Sequence, residues 1–313
     1  MKQPILFCLW IGAIAVGFAG CNEYNPKAEG PNTGVLKIGI DESYTLMMDS
    51  QVSTFEQLYK RADVVPTYMP ESEVMKNLMN DSIQEAVVCR KLTAEEEAYF
   101  ASIQRLPETT RIAIDGLALV VNRENPDTNF TMARLQSIFS GTDSTWTMGE
   151  LAGQKMAIVF DNIGSCNART VREVFLQENS FPSYCFSANS NKEVMEYVQN
   201  NKNAMGIISV SWVSDQDDPT SLSFLKMVRV CGIRNDANPL QNDKFRKPYQ
   251  AYIYDGTYPL CRDVYVIRTG LRGTLGTGFA SFLAGEKGQL IIKKMGMAPI
   301  SQSERTIIIK REQ

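Results

Sequence analysis

Short apolar runs alternate with amphipathic stretches along most of the chain, which is the pattern of strands joined by helices. In the first half of the chain, strands are predicted at Val35–Ile40, Val64–Tyr68, Glu85–Cys89 and Ile112–Asn122, and helices around Phe55–Tyr59 and at Glu71–Asn80. The predicted strands are almost continuously apolar, as in parallel sheets that helices cover on both faces. The sequence therefore predicts an α/β fold.

The same alternation continues in the second half of the chain. Strands are predicted at Lys155–Phe160, Gly206–Trp212, Leu225–Ile233 and Tyr258–Val266, and helices at Met132–Phe139, Ala168–Leu176, Phe279–Leu283 and Gln289–Met295. Two capping boxes, Thr93–Glu96 and Ser190–Glu193, mark further helix starts. With 313 residues, the chain is long enough for roughly two domains.

The N-terminal segment has the pattern of a lipoprotein signal. Lys2 precedes a long apolar run, Ile5–Ala19, and the small residues Ala19 and Gly20 stand directly before Cys21. This arrangement resembles a lipobox, in which the cysteine thiol takes a lipid and becomes the first residue after cleavage. We therefore expect residues 1–20 to be a lipoprotein signal peptide and residues 21–32 to be a polar tether. An ordinary secretory signal and an uncleaved membrane helix are the alternatives.

Composition narrows the chemistry that this chain can carry. Hydrophobic residues make up 44% and charged residues 21%, as in ordinary globular proteins. The 32 basic and 35 acidic residues leave a net charge of −3, which gives no sign of nucleic-acid binding. The sequence contains no histidine, which excludes histidine-based acid–base catalysis and histidine-ligated metal sites. We expect a binding protein with no catalytic residues, no metal and no cofactor.

The cysteines show neither a metal-binding motif nor a clear disulfide pattern. Apart from Cys8 in the apolar run and Cys21, the chain has Cys89, Cys166, Cys185, Cys231 and Cys261. These five are never spaced as CxxC, so a zinc site is not indicated. At most two disulfides could form among them, and free buried thiols are the simpler interpretation.

Three loops follow a predicted strand and precede a predicted helix, where open α/β sheets bind their ligands. They are Asp41–Thr45, Cys89–Thr93 and Asp161–Arg169. Helix N-termini offer free N–H groups to an anion, and Arg90 and Arg169 can each donate two hydrogen bonds to an oxyanion. Because serine and threonine before helices are most often plain caps, each loop alone is weak evidence for a site.

The order of several motifs resembles the phosphate-binding proteins of ABC phosphate importers, in the type II periplasmic binding protein class. The matching stretches are KIGIDESYT, VVCRKLTAEE, IAIDGLALVVNRENPDTNFTMARLQSIFSGTDSTW, IVFDNIGSCNARTVREVF, AMGIISVSW and YPLCRDVYV. The third, Ile112–Trp146, is the most specific, and together they span about residues 34–298. The resemblance implies two α/β domains with a hinge: domain I at 33–122 plus 258–313, and domain II at 123–257. The crossings would lie near Asn122–Asn125 and Gly256–Pro259.

The resemblance also implies an oxyanion held between the two domains. Carried over by motif position, its contacts would be Ser43, Tyr44, Thr45, Arg90, Asp115, Ser165, Cys166, Asn167 and Arg169. Asp115 would accept the proton of hydrogen phosphate and disfavour sulfate, which has no proton to offer. The alternative for Asp115 is a turn residue before Gly116.

Two motifs depart from the family pattern. Ser165-Cys166-Asn167 stands where many members have Ser-Gly-Thr, and Cys89-Arg90 stands where many have Ser-Arg. Asparagine can replace a threonine donor, whereas a cysteine is a weak donor and bulkier than glycine. The sequence therefore leaves open which oxyanion binds and how tightly.

The resemblance implies a binding protein that captures inorganic phosphate and delivers it to the permease subunits of an ABC importer. Such a protein would be monomeric and periplasmic, held at the membrane of the cell envelope through the lipid on Cys21, with no nucleic-acid partner. The alternatives are a binding protein for sulfate or molybdate, and a non-transport interaction lipoprotein that uses the same scaffold. A phosphate-ester hydrolase is the least favoured alternative because no metal cluster or activated nucleophile is visible.

Lipidation of Cys21 predicts that Cys21→Ser will block processing and release the protein from membranes, because the acyl acceptor is lost. Membrane fractionation and intact-mass measurement of the purified chain check this, with Cys8→Ser in the apolar run as the matched control. An unlipidated mature N-terminus at another residue would contradict the prediction.

Overall fold

The computed structural model describes residues 29–301, except residues 178, 215–221, 224, 227, 240 and 241. The predicted signal peptide, most of the predicted tether and Cys21 lie outside these residues. In the described part, no helix has the length and apolar character needed to cross a membrane.

Strands and helices alternate along the described chain. The strands are β1 Thr33–Asp41, β2 Arg61–Met69, β3 Glu85–Val88, β4 Glu108–Asn122, β5 Asn129–Thr131, β6 Ala157–Phe160, β7 Cys185–Ser187, β8 Ala204–Ser209, β9 Val228–Val230, β10 Gly232–Arg234, β11 Cys261–Arg268 and β12 Ala298–Pro299. The helices are α1 Thr45–Leu58, α2 Glu71–Met79, α3 Ala94–Ser102, α4 Met132–Phe139, α5 Cys166–Val171, α6 Asn191–Asn200, α7 Gln250–Tyr254, α8 Leu275–Ala284 and α9 Glu286–Lys294. Short 3₁₀ turns lie at Glu42–Tyr44, Gly149–Leu151 and Val210–Trp212.

Ten strands form one mixed sheet, in the order β2-β1-β3-β11-β4-β8-β6-β7, with β12 and β9 also paired to β4. Strands β1, β2 and β3 are parallel to one another, as are β6, β7 and β8. The expectation of a wholly parallel sheet is wrong in the centre, because β4 and β11 run antiparallel to their neighbours. Hydrophobicity alone does not distinguish these two strands from parallel ones, since both faces of the sheet are covered there.

Strand β4 joins two halves of the sheet. Up to Gly116 it pairs with β11, and from Leu117 onward it pairs with β8. We call β2, β1, β3, β11 and the start of β4 the first half, and the rest of β4 with β8, β6 and β7 the second half. The change of partners thus comes earlier in the chain than the crossing predicted at Asn122–Asn125, because β4 continues without a break through Gly116 to Asn122. The division into two domains stays a prediction.

Apolar side chains from both halves form the core. In the first half, Phe55 of α1 packs edge-to-face on Phe279 of α8 at 5.1 Å between ring centroids. In the second half, the buried Trp146 donates its indole N–H to the Asn203 carbonyl at 3.0 Å. Residues of the two halves belong to one continuous buried cluster. The halves are therefore in contact along the sheet.

Two predicted elements end sooner than the sequence pattern indicates. The strand predicted over Gly206–Trp212 ends at Ser209, whose hydroxyl accepts a hydrogen bond from the Ser211 N–H and starts a 3₁₀ turn. The helix predicted over Ala168–Leu176 ends at Val171 and continues as a π-helical turn, Arg172–Leu176. Local side-chain hydrogen bonds of serine commonly compete with a strand in this way.

The predicted strand Leu225–Ile233 is also divided. Leu225 and Lys226 are helical, Val228–Val230 form β9, which pairs with β4, and from Gly232 the chain forms β10, which pairs with β5 in a separate two-stranded sheet. The N–H of Cys231, the residue between β9 and β10, donates to the Leu119 carbonyl at 2.8 Å. The chain thus changes sheets at this residue.

Close packing of β8 against α6 predicts that Gly206→Ala will destabilise the protein by about 1–3 kcal/mol, the usual cost of overfilling a core. A Cβ at Gly206 would lie 2.7 Å from Val194 and 2.9 Å from Val198. Gly270→Ala is the matched control, because a Cβ there meets only Gln84, at 3.8 Å. Urea unfolding of both variants measures the difference, and equal losses would contradict the packing described here.

Candidate functional site

Buried polar residues, with the half-buried Arg90 and Arg169, meet where the two halves of the sheet join. We call this set the central polar cluster; its members are Asp41, Ser43, Tyr44, Glu71, Cys89, Arg90, Asp115, Asp161, Ser165, Cys166, Asn167, Arg169 and Arg262. Strands β1, β3 and β6 and helices α2 and α5 end or begin here, as expected for the carboxyl edge of an α/β sheet. The cluster is built from hydrogen bonds between the two halves.

Asp41, the last residue of β1, fixes three backbone N–H groups. Its Oδ1 accepts from Ser43 N–H at 3.0 Å. Its Oδ2 accepts from Glu71 N–H at 2.8 Å and from Cys166 N–H at 3.0 Å. Glu71 belongs to α2 and Cys166 to α5, so one carboxylate holds two helix N-termini together, where negative charge is favoured.

Glu71, the first residue of α2, is bound on both carboxylate oxygens. Oε2 accepts from Cys89 N–H and from the Cys166 thiol, each at 3.0 Å. Oε1 accepts from the Arg169 guanidinium and lies 3.6 Å from Arg90 Nε. This carboxylate thus has charged and neutral donors from both halves of the sheet.

The two arginines at Glu71 each have a second carboxylate partner. Arg90 makes a two-hydrogen-bond pair with Glu96, at 2.6 and 2.7 Å. Arg169 pairs with Glu173 one turn along its helix and also donates to the Cys89 carbonyl at 2.8 Å. Both guanidinium groups are therefore fully engaged within the protein.

Asp115 and Arg262 form a buried ion pair between β4 and β11. Arg262 Nη2 donates to Asp115 Oδ2 at 2.8 Å and to Asn167 Oδ1 at 2.7 Å, and Nη1 donates to Thr170 Oγ1 at 3.2 Å. The other oxygen of Asp115 accepts from the Ser209 hydroxyl at 2.9 Å. Asp115 is thus a strand residue that neutralises Arg262 and not the turn residue of the alternative interpretation, while its role as a phosphate acceptor stays a prediction.

Asp161, which follows β6, binds the hydroxyls of two predicted ligand residues. Its Oδ1 accepts from Ser165 Oγ at 2.6 Å, and its Oδ2 accepts from Ser43 Oγ at 3.4 Å. Asn191 of α6 donates to the same Oδ2 at 3.2 Å. The serine hydroxyls that the family resemblance predicts to bind an external anion therefore donate to an internal carboxylate.

Burial, neighbouring charges and hydrogen bonds shift the pKa values of the acidic groups in the cluster. Burial, with the nearby Asp161 carboxylate, raises the pKa of Asp41 to about 6. Burial also raises the pKa of Asp115 and of Asp161, against the opposing effects of Arg262 and of the Ser165 hydroxyl. For Glu71, burial is outweighed by the Arg169 guanidinium and the hydrogen bonds from Cys166 and Cys89, so its pKa is lowered. Glu71 is therefore the most firmly charged carboxylate of the cluster.

Eight of the nine predicted contacts come together in the central polar cluster. Thr45 differs, because its hydroxyl donates to the Glu42 carbonyl at 2.8 Å and serves the start of α1. Tyr44 lies at the centre, with the Arg262 guanidinium 5.6 Å from its ring centroid. Among the described residues, the buried Tyr44 hydroxyl has no hydrogen-bond partner.

Sequence reasoning missed the partners that neutralise the predicted contacts: Asp41, Glu71, Asp161 and Arg262. One signal was present, since Asp41 and Asp161 each directly follow an apolar run in the sequence, one ending at Ile40 and the other at Phe160. Glu71 gave no such signal, because a glutamate in the first turn of a helix is commonplace. Arg262 stands in an apolar strand, and only the pairing of β11 with β4 reveals its contact with Asp115.

The five cysteines in the described residues are free, and Cys89, Cys166 and Cys231 are buried. Cys89, Cys166 and Glu71 place their ligand atoms within 4.8 Å of one another, close enough to hold a metal ion. Arg169 occupies the same space, because its Nη2 lies 2.8 Å from Cys89 Sγ while the guanidinium pairs with Glu71. A positive charge there disfavours a cation.

Comparison with known proteins identifies the class to which this chain belongs. The family model of the PBP superfamily domain matches residues 25–287. The chain belongs to this superfamily, and the predicted fold class is confirmed.

Several solved structures share the fold. A candidate phosphate ABC transporter substrate-binding protein from Clostridium perfringens, with bound phosphate, is 19% identical with a TM-score of 0.69, covering 86% of this chain and 100% of its own. An ABC-type phosphate transport receptor from Vibrio cholerae is 22% identical with a TM-score of 0.62, covering 85% and 100%. PstS from Borrelia burgdorferi is 19% identical with a TM-score of 0.52, covering 86% and 99%. The resemblance inferred from the motifs thus agrees with the fold.

Glu42, which is repelled by the Asp161 carboxylate of the central polar cluster, predicts a stability that falls as pH rises. Burial and the Asp161 carboxylate raise the pKa of Glu42 to about 7. The folded chain thus keeps a proton that the unfolded chain releases near 4.5, so this contribution is present at low pH and lost as pH rises through about 7. We expect Glu42→Gln to gain stability relative to wild type between about pH 5 and pH 8. The free energy of unfolding in urea, measured across this pH range, tests the prediction, with Glu196→Gln on α6 as the control. The same pH dependence in Glu42→Gln and wild type would contradict it.

Proposed function

We propose that the chain is an extracytoplasmic binding protein for inorganic phosphate, which it holds between two α/β domains for an ABC importer. Lipid on Cys21 would keep it at the membrane of the cell envelope. The contacts to phosphate would come from Arg90 of the first half and from Cys166 and Arg169 of the second half.

The observation that supports this proposal most is the way in which the Glu71 carboxylate is bound. Two guanidinium groups and a backbone N–H surround it, which is the donor set expected around a carboxylate or a phosphate. The donors come from both halves of the sheet, as they would for a ligand held between domains. The central polar cluster therefore has the chemistry of an oxyanion site.

Tyr44 offers a second line of support. A buried hydroxyl without a partner is uncommon in folded proteins, because it costs the full penalty of desolvation. Among the described residues, the Tyr44 hydroxyl lacks a partner while its ring lies beside Arg262. A phosphate oxygen at this position would satisfy it.

Phosphate binding predicts that Arg169→Ala will weaken the affinity by about 1.5–3 kcal/mol, the range for a hydrogen bond to a charged group. Arg172→Ala is the matched control, since Arg172 lies nearby on the same segment but over the Phe181 ring, 5.2 Å from its centroid. Calorimetric titration with phosphate, sulfate and molybdate measures the effect and identifies the preferred oxyanion. The absence of heat with all three oxyanions in the wild type would contradict the proposed function.

The same structure favours a second candidate, a non-transport interaction lipoprotein. The serine and arginine donors predicted for phosphate are already bound to internal carboxylates. In a protein that no longer binds a ligand, these donors would always need internal carboxylates as their partners. The titration described above separates the two candidates, because only the first binds an oxyanion.

A further inference from the structure

Glu71 is bound as an external oxyanion would be bound. Its two oxygens take the Cys89 N–H, the Cys166 thiol and the Arg169 guanidinium, and Arg90 Nε lies at 3.6 Å. Three of these partners, Cys166, Arg169 and Arg90, are residues that the family resemblance predicts to contact the ligand. A side chain of the protein thus stands in the place of that ligand.

The same contact links the two halves of the sheet. Glu71 begins α2, which packs on β1 and β3, whereas Cys166 and Arg169 belong to α5, which packs on β8. Asp41 adds to this link by accepting both Glu71 N–H and Cys166 N–H. The halves are therefore joined by carboxylates of the protein itself.

A second anion cannot share this position with Glu71. The cluster already holds four buried carboxylates, those of Asp41, Glu71, Asp115 and Asp161, against the guanidinium groups of Arg90, Arg169 and Arg262. A phosphate dianion beside the Glu71 carboxylate would meet a like charge with little water to screen it, which is strongly unfavourable. Binding therefore requires that Glu71 leave.

The Glu71 side chain is itself only 3% exposed, but the two arginines that hold it form the more exposed side of the cluster. The side chains of Arg90 and Arg169 are 20% and 18% exposed, whereas that of Arg262 is 5% exposed. Each outer arginine keeps another carboxylate, Glu96 or Glu173, when Glu71 moves away. Neither guanidinium would then be left unpaired, which is the costly outcome in a buried site.

We propose that the Glu71 carboxylate is an internal ligand of this site and that an external oxyanion binds by displacing it. The proposal rests on the oxyanion-binding function proposed above. Glu71 lowers the affinity for phosphate by competing for the same donors, and it holds the two halves together when no ligand is bound. The Glu71 side chain thus sets both the affinity for phosphate and the contact between the two halves.

Removal of this competitor predicts tighter phosphate binding. We expect Glu71→Ala to bind phosphate roughly 10–150-fold more tightly than wild type, the fold-change that corresponds to removing one competing hydrogen bond to a charged group. Glu71→Gln, which keeps the shape but loses the charge, should lie between the two. Glu173→Gln is the matched control, because Glu173 pairs with the same Arg169 from the exposed side. Calorimetry on the full-length chain in detergent measures all four proteins.

A ligand-free measurement tests the link between the halves separately. Cys89 and Cys166 are 6% and 0% exposed, so both thiols should react slowly with N-ethylmaleimide in the wild type. In Glu71→Ala they should react faster, and added acetate or phosphate should slow them again by filling the vacated position. Cys231, also 0% exposed but outside the cluster, reports any general unfolding and should stay slow.

The outcomes distinguish the two proposals. If no variant binds phosphate but Glu71→Ala exposes the two thiols and acetate protects them, the internal ligand is supported and the phosphate function is overturned. If wild type and Glu71→Ala bind phosphate equally and label equally, the phosphate function is supported and the internal ligand is overturned. Faster labelling of Cys231 together with the other two would show unfolding, and the Glu71→Gln variant then decides on the same criteria.

Discussion

The neutralisation of buried carboxylates at the join of the two sheet halves is the constraint on which the rest of the structure depends. Isolated carboxylates in such a position would be very costly, so each must find cations or several hydrogen-bond donors. Arg262 neutralises Asp115 and Arg169 neutralises Glu71. Backbone N–H groups donate hydrogen bonds to Asp41. The packing of the two halves is the arrangement that brings these partners together.

The topology supplies the partners from distant parts of the chain. Parallel strands bring their carboxyl ends to one edge, which places Asp41 after β1 near Asp161 after β6. The antiparallel pairing of β4 with β11 then places Arg262 directly opposite Asp115 on the neighbouring strand. Helices α2 and α5 meet the same edge with their N-termini, where free N–H groups and a positive dipole end favour carboxylates. The order of strands and helices thus places each of these buried carboxylates beside a cation or a hydrogen-bond donor.

The sequence predicts the scaffold and the donors better than the acceptors. Apolar runs such as Ile112–Asn122 predict strands because burial on both faces leaves few alternatives. Ser165, Cys166 and Arg169 are predictable only through the family resemblance, because a loop between a strand and a helix is by itself weak evidence for a site. Glu71 is not predictable, since only the fold shows that its first-turn position faces Arg169 from another part of the chain. Acceptors that arise from long-range contact carry no local pattern.

The continuous strand β4 has a mechanical consequence for any movement between the halves. A loop hinge concentrates motion in a few freely rotating backbone angles, whereas β4 passes from one half to the other with backbone pairing on both sides of Gly116 and Leu117. Rotation of one half relative to the other must therefore be distributed over the backbone angles of several residues of β4. Resistance then grows with the angle, so we expect the halves to move through small angles and to return elastically.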